Sequence, residues 1–249
     1  MTIIFLCIMG FVAAFVDAIA GGSGLITIPA YMIAGLNPHV LLGTNKFASV
    51  AGTAMSTFTF AKSKRINWNL MLRLLPLSFI GAAIGVYSVL RLDSSILEPL
   101  ILVILIGVGI YSVVKKDIGL QDHYNGFNTS TLIQGGIFAL ILGFYDGFFG
   151  PGTGSFIIFS LIKIFGFSFV NASANSKVLN LGSNFMSLVL FAINGKIDYL
   201  IGFPVAISMM LGAMVGSRTA IERGNRFVKP IFIIMALGAA GKVLYGIVM

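Results

Sequence analysis

Residues 15–29 read FVDAIAGGSGLITIP: an apolar run ends in an aspartate, breaks at clustered glycines and resumes as a second short apolar run. Residues 144–158 repeat the plan as FYDGFFGPGTGSFII. Farther along each half a lysine stands inside an apolar segment, in KFASVAGTAMS (46–56) within 40–61 and in KVLNLGSNFMS (177–187) within 169–193. Asp146 follows Asp17 by 129 residues, Gly154 follows Gly24 by 130, and Lys177 follows Lys46 by 131. Offsets this constant mark a duplication.

The chain around these landmarks is built for a bilayer. Its 249 residues are 57% apolar and 10% charged, with a mean hydropathy of +1.00, where a soluble domain carries about 25% charged residues. The first half holds apolar segments at 3–35 (broken at 20–24), 40–61, 69–91 and 95–114. The second holds them at 131–165 (broken at 149–154), 169–193, 198–217 and 227–248. A hydrocarbon core about 30 Å thick takes about twenty such residues to cross. The expected fold is an all-α polytopic membrane protein with eight hydrophobic segments. Its repeats fall at 1–115 and 131–249, joined by a connecting loop at 116–130. The net charge of +8 sits in short connections and is no nucleic-acid signature. Cys7 is the single cysteine, so no internal disulfide or Cys-rich metal site forms. The first segment lacks a basic residue ahead of it and is interrupted by Asp17, so it reads as mature protein rather than a signal peptide.

Loop charge sets the orientation. Residues 62–73 (KSKRINWNLMLR) carry four basic residues and no acid. The 218–229 connection carries Arg218, Arg223, Arg226 and Lys229 against Glu222. Both belong in the cytoplasm by the positive-inside rule. The first follows segment two of its half and the second follows segment three, so the halves have opposite topology. That requires an odd number of crossings per half. Each broken first segment then enters and returns as a re-entrant hairpin, followed by three full crossings. Lys115, Lys116 and Lys163 also fall inside, with both termini outside; Lys242, near the outer end, runs against this. Such inverted repeats are the plan of many secondary transporters.

Non-helical backbone at membrane depth is tolerated only where protein buries it or where it lines a wet cavity. The breaks around Gly22, Ser23 and Gly24 and around Gly152, Thr153 and Gly154 each open a short helix, whose N-terminal N–H groups attract anions. Close helix packing is the alternative use of such glycines. On the following segments, Lys46, Ser49, Thr53 and Ser56 share one face at steps of three, four and three, and so do Lys177, Asn180, Asn184 and Ser187. If Asn37 caps a helix opened by Pro38, Lys46 lies roughly 12 Å inward. Ionisable groups at that depth mark function or pair with one another. Asn45, beside Lys46, joins the candidate set. Asp17 and Asp146 are candidate lysine partners or proton carriers.

Two cations, two glycine-rich helix starts and several amides suit a small anionic substrate. Phosphate-loop and dinucleotide motifs do not fit either break. A serine-protease reading of GGSG lacks a base, because His39 and His123 lie in connections. The expectation is a secondary-type transporter of a small organic or inorganic anion rather than an enzyme, with a non-transport membrane subunit as the rival.

FVDAIAGGSGLITIPAYMIAGLNPHVLLGTNKFAS (15–49) and NASANSKVLNLGSN (171–184) resemble the TauE/SafE sulfite exporter family, also called the toluene sulfonate uptake permeases. The resemblance covers nearly the whole chain and is closest to bacterial inner-membrane members. It implies a multi-pass permease for sulfite, sulfoacetate or related organosulfonates, working without a cofactor or ATPase partner. Proton and sodium coupling both remain open, as does the oligomeric state. The first glycine cluster reads GGSG where the family often has a third glycine, so substrate geometry does not transfer closely.

Overall fold

A computed structural model describes residues 2–97, 99–101, 103 and 121–224. These residues form helices and connections, with no strand among them. In chain order the helices are α1 (Thr2–Ala20), α2 (Gly24–Ile33), α3 (Pro38–Lys62), α4 (Trp68–Val89), α5 (Thr129–Phe148), α6 (Thr153–Phe165), α7 (Phe169–Ile193) and α8 (Tyr199–Arg223). Five of them, α1, α4, α5, α7 and α8, are long and apolar enough to cross a membrane. The chain is a multi-pass membrane protein. Helix α3 is as long, at 25 residues, but its polar line lowers its hydropathy. Most of segment 95–114, all of 227–248 and part of the 116–130 loop lie outside the described residues.

Local sequence explains the ends. Asn37 accepts from the His39 N–H and Pro38 opens α3, as expected from their order. His39 therefore stands in the first turn of a helix rather than in a connection. Its buried ring meets Ser94 Oγ at 3.2 Å and the Val89 carbonyl at 3.1 Å. Asn67, Ser168 and Asp198 cap α4, α7 and α8 in the same way. The expected interruptions fall at residues 21–23 and 149–152.

Helices from the two halves exchange partners. Helix α1 lies along α8, and α5 lies along α4. Small residues let these backbones touch. A Cβ on Gly81 would sit 2.1 Å from the Leu140 carbonyl oxygen, and one on Gly212 would sit 2.2 Å from that of Phe11. Gly85 and Gly216, one turn on, meet Phe144 and Phe15 equally closely. Close approach of this kind drives helix association where lipid competes for apolar surface. Overpacking typically costs about 1–3 kcal/mol. Gly81→Leu and Gly212→Leu should each exceed that and lower the melting temperature in detergent, whereas leucine at exposed Ile84 should leave it unchanged.

Contacts also give the running direction of each helix. Gly43, Phe47 and Gly52 of α3 meet Lys196, Gly202 and Met209 in turn, so α3 runs parallel to α8. Gly10, Phe11 and Phe15 of α1 follow Val205, Gly212 and Gly216 in the same sense. Helices α1 and α3 are therefore parallel, and the 10-residue α2 between them runs back toward the end where α1 began. Helices α4, α5 and α7 likewise share one direction, with Leu74 facing Gly135, Ala82 facing Gly147, and Asn67 and Leu75 facing Asn175 and Gly182. The two sets oppose each other. Lys46 and Arg65 of the first half meet Asn184 and Asn171 of the second, in reverse order along α7.

Candidate functional site

The two interruptions meet in the middle of the bundle. A Cβ on Gly21 would lie 2.3 Å from the Ser155 nitrogen, one on Gly24 2.9 Å from Pro151 Cα, and one on Gly154 2.9 Å from Gly21 Cα. Gly21, Gly22, Gly150 and Gly152 all take positive φ, which only glycine adopts freely. The chain thus needs glycine here twice over, for backbone shape and for contact.

Beside this junction each lysine is paired with the aspartate of the other half. Lys46 Nζ lies 2.9 Å from Asp146 Oδ1, and Lys177 Nζ lies 2.8 Å from Asp17 Oδ2. Both lysines are fully buried. The two pairs differ in their surroundings. Asp17 also accepts from the Gly22 N–H at 2.9 Å and the Ser23 N–H at 3.3 Å, and Lys177 donates again to the Asp17 carbonyl. Asp146 instead takes the Ser183 hydroxyl at 2.6 Å. Lys46 donates to Asn184 Oδ1 at 3.0 Å, and Asn184 in turn donates to Asn180 Oδ1 at 2.8 Å.

A polar cavity lies between the pairs. Lys46, Asn45, Ser49, Asn180 and Asn184 line it from α3 and α7, with Gly22, Ser23, Gly24 and Gly154 from the breaks. Asp17 and Asp146 face it from opposite halves. Its space for a water centre is about 10 Å³, room for roughly one water.

Most of the residues expected at a site are brought together here. Four are not. Lys177 is spent on Asp17 behind the cavity wall. Thr53 turns its hydroxyl to the Ser49 carbonyl at 2.7 Å, and Thr153 donates to the Gly150 carbonyl at 2.8 Å. Gly152 supplies the left-handed turn ahead of α6 without lining the space. Two expectations about charge also change. The lysines do not present free positive charge, because each is matched by a carboxylate. The first break does not offer the Gly22 and Ser23 N–H groups to a ligand, because Asp17 already holds them.

Sequence reasoning missed two residues. Gly150 lines the cavity so closely that a Cβ would stand 3.0 Å from Lys46 Nζ. Its place in the GPGTG cluster was a usable signal. Ser183 lies off the polar line of α7, and nothing local distinguishes it from other small residues of that helix. Among the described residues no cluster of metal-ligating side chains occurs.

A helical membrane bundle that encloses an ion-paired polar cavity where broken helices meet defines a membrane transporter. Comparison with known sequences narrows the class. Residues 6–243 match the family described as sulfite exporter TauE/SafE, and the chain belongs to that family. It is 35% identical to a probable membrane transporter protein of Haemophilus influenzae over 237 residues, 95% of this chain and 92% of the relative. Probable membrane transporter protein ORF9 of a Sinorhizobium species is 34% identical over 244 residues, covering 96% and 91%. Escherichia coli YfcA, also a probable membrane transporter protein, is 34% identical over 235 residues, covering 94% and 86%. These bacterial relatives and the apolar helices place the chain in the bacterial cell membrane. No solved structure matches it.

Proposed function

We propose that this chain is a secondary transporter of small anions, with sulfur oxyanions and organosulfonates such as sulfite and sulfoacetate as its first candidate substrates. One observation carries the reading: two glycine-rich helix breaks meet around a buried cavity where an ammonium group and three side-chain amides stand beside the two aspartates. Lys46, the amides of Asn45, Asn180 and Asn184, and the Ser49 hydroxyl form the binding set. The family description supports sulfite as the first anion to test. Chemistry on the substrate is not part of this function; the relatives are described as transporters.

Two inverted repeats, 1–115 and 131–249, form the scaffold of this reading. The opposite directions of α3 and α7 support it, as does the return of the short α2 between two parallel helices. The backbone N–H groups of Asn67 and Asp198, 131 residues apart, bond to Asn175 and Thr44, again 131 apart. In a Cys7→Ser background, cysteines at Ser63 and Gly224 should resist a membrane-impermeant thiol reagent in intact cells, and one at exposed Ser95 should react. Labelling of Ser63 and Gly224 from opposite sides would remove the inversion.

Purified protein in liposomes tests the substrate. Sulfite, sulfoacetate, methanesulfonate, sulfate and chloride should be compared for uptake and for thermal stabilisation. Saturable uptake of a sulfur anion, with chloride inert, is the expected result. Uptake of none of them would sink the reading.

A further inference from the structure

We infer that Asp146 is a proton-binding residue whose protonation hands Lys46 to the transported anion, so that anion and proton occupy the cavity together. The inference rests on the anion-transport reading of this cavity and deepens it. As the chain stands, Lys46 is neutralised by a carboxylate at 2.9 Å. An anion entering beside that pair would place two negative charges on one ammonium in a water-poor site, where like charges repel strongly. Removing the charge of Asp146 leaves Lys46 with an unmatched charge facing the cavity.

The hydrogen bonds show which aspartate can take the proton. Ser183 Oγ lies 2.6 Å from Asp146 Oδ2 and 3.2 Å from the Asn180 carbonyl oxygen. A hydroxyl both donates and accepts. With Asp146 ionised, Ser183 donates to it. With Asp146 protonated on Oδ2, the acid donates to Ser183 and the hydroxyl turns to the Asn180 carbonyl. Every partner stays satisfied in both states. Asp17 has no such freedom. Its Oδ1 accepts from two backbone N–H groups, which cannot reverse, and its Oδ2 takes Lys177.

The other charged and titratable groups around Asp146 are committed elsewhere. Neighbouring Tyr145 donates its hydroxyl to the Pro151 carbonyl at 2.7 Å. On α4, Arg73 sits over the Phe127 ring and Tyr87 against Arg91. Lys163 of α6 is exposed in its last turn, and Lys177 of α7 is held by Asp17 behind the cavity wall. Lys46 of α3 is the cation that answers Asp146.

Two measurements on the full-length protein test this. Infrared difference spectra on acidification, without ligand, should show one buried carboxylic acid band, absent from Asp146→Asn and retained in Asp17→Asn. Ser183→Ala should move that band to higher frequency by removing its hydrogen-bond partner. Binding of methanesulfonate, whose charge is constant from mildly acid to mildly alkaline pH, should tighten by up to about tenfold per pH unit of acidification, the limit for one linked proton. Asp146→Asn should bind it without pH dependence. A band that persists in Asp146→Asn, an unshifted band in Ser183→Ala, or pH-dependent binding in Asp146→Asn overturns the inference. A normal Asp146 band with no anion bound at any pH overturns the anion half together with the transport reading. A bound anion with no Asp146 band overturns the inference alone.

Discussion

Lys46→Met should abolish anion binding and lower stability by about 3–5 kcal/mol, the usual cost of removing one partner from a buried ion pair. Asp146 would be left in the bundle with the Ser183 hydroxyl as its remaining described partner. Adding Asp146→Asn should restore most of the stability, because a neutral amide can bond Ser183 in either sense. It should not restore binding, because the ammonium is still missing. Thermal melts in detergent and equilibrium binding separate the two effects. Lys46→Arg should recover stability better than binding, since a planar fork does not reproduce a compact ammonium beside Gly150. If Lys46→Met binds anions as the parent does, Lys46 is a structural residue and the cavity is not the anion site.

The second large effect belongs to the junction of the breaks. Gly21→Ala and Gly35→Ala impose the same backbone strain, because both glycines have φ of +78°. That strain costs roughly 1–2 kcal/mol for an alanine. Around Gly35 nothing lies within 4 Å of the new methyl group, whereas at Gly21 it would stand 2.3 Å from a backbone nitrogen of the other half. Gly35→Ala should therefore fold and transport with a modest loss of stability. Gly21→Ala should lose transport altogether and fall well below Gly35→Ala in melting temperature, because the two breaks can no longer meet. Equal behaviour of the pair would show that the contact is unimportant.

Much of this was legible in the sequence. Period-3.6 spacing put the two polar lines on single faces, and every member of both is buried. Glycine-rich interruptions located the breaks within a residue or two, and the order Asn37–Pro38 fixed the start of α3. Segment 169–193 coincides with α7. The crosswise pairing was not legible. Spacing within a helix reports which side chains share a face; it carries no information about which helix that face meets. Asp17 and Lys46 lie in one half and could equally have paired with each other. Their actual partners, Lys177 and Asp146, stand on α7 and α5, and which helix meets which is set by contacts between the halves. The 131-residue offset could have exposed part of it, since Gly81 and Gly212 obey it as the lysines do. Ser183 carried no such signal, because its importance lies in one hydroxyl reaching two acceptors.

The exchange of charges between halves also bears on synthesis at the ribosome. Lys46 is made 100 residues before Asp146, and Asp17 is made 160 residues before Lys177. At about 5–20 residues per second the intervals are roughly 5–20 s and 8–32 s. Throughout them the nascent first half holds a cation and an anion without their final partners, at depths where a lysine or aspartate opposes insertion by about 2.5–3.5 kcal/mol each. Until α5 and α7 emerge, only water, lipid headgroups or the two residues' own mutual attraction can offset that cost.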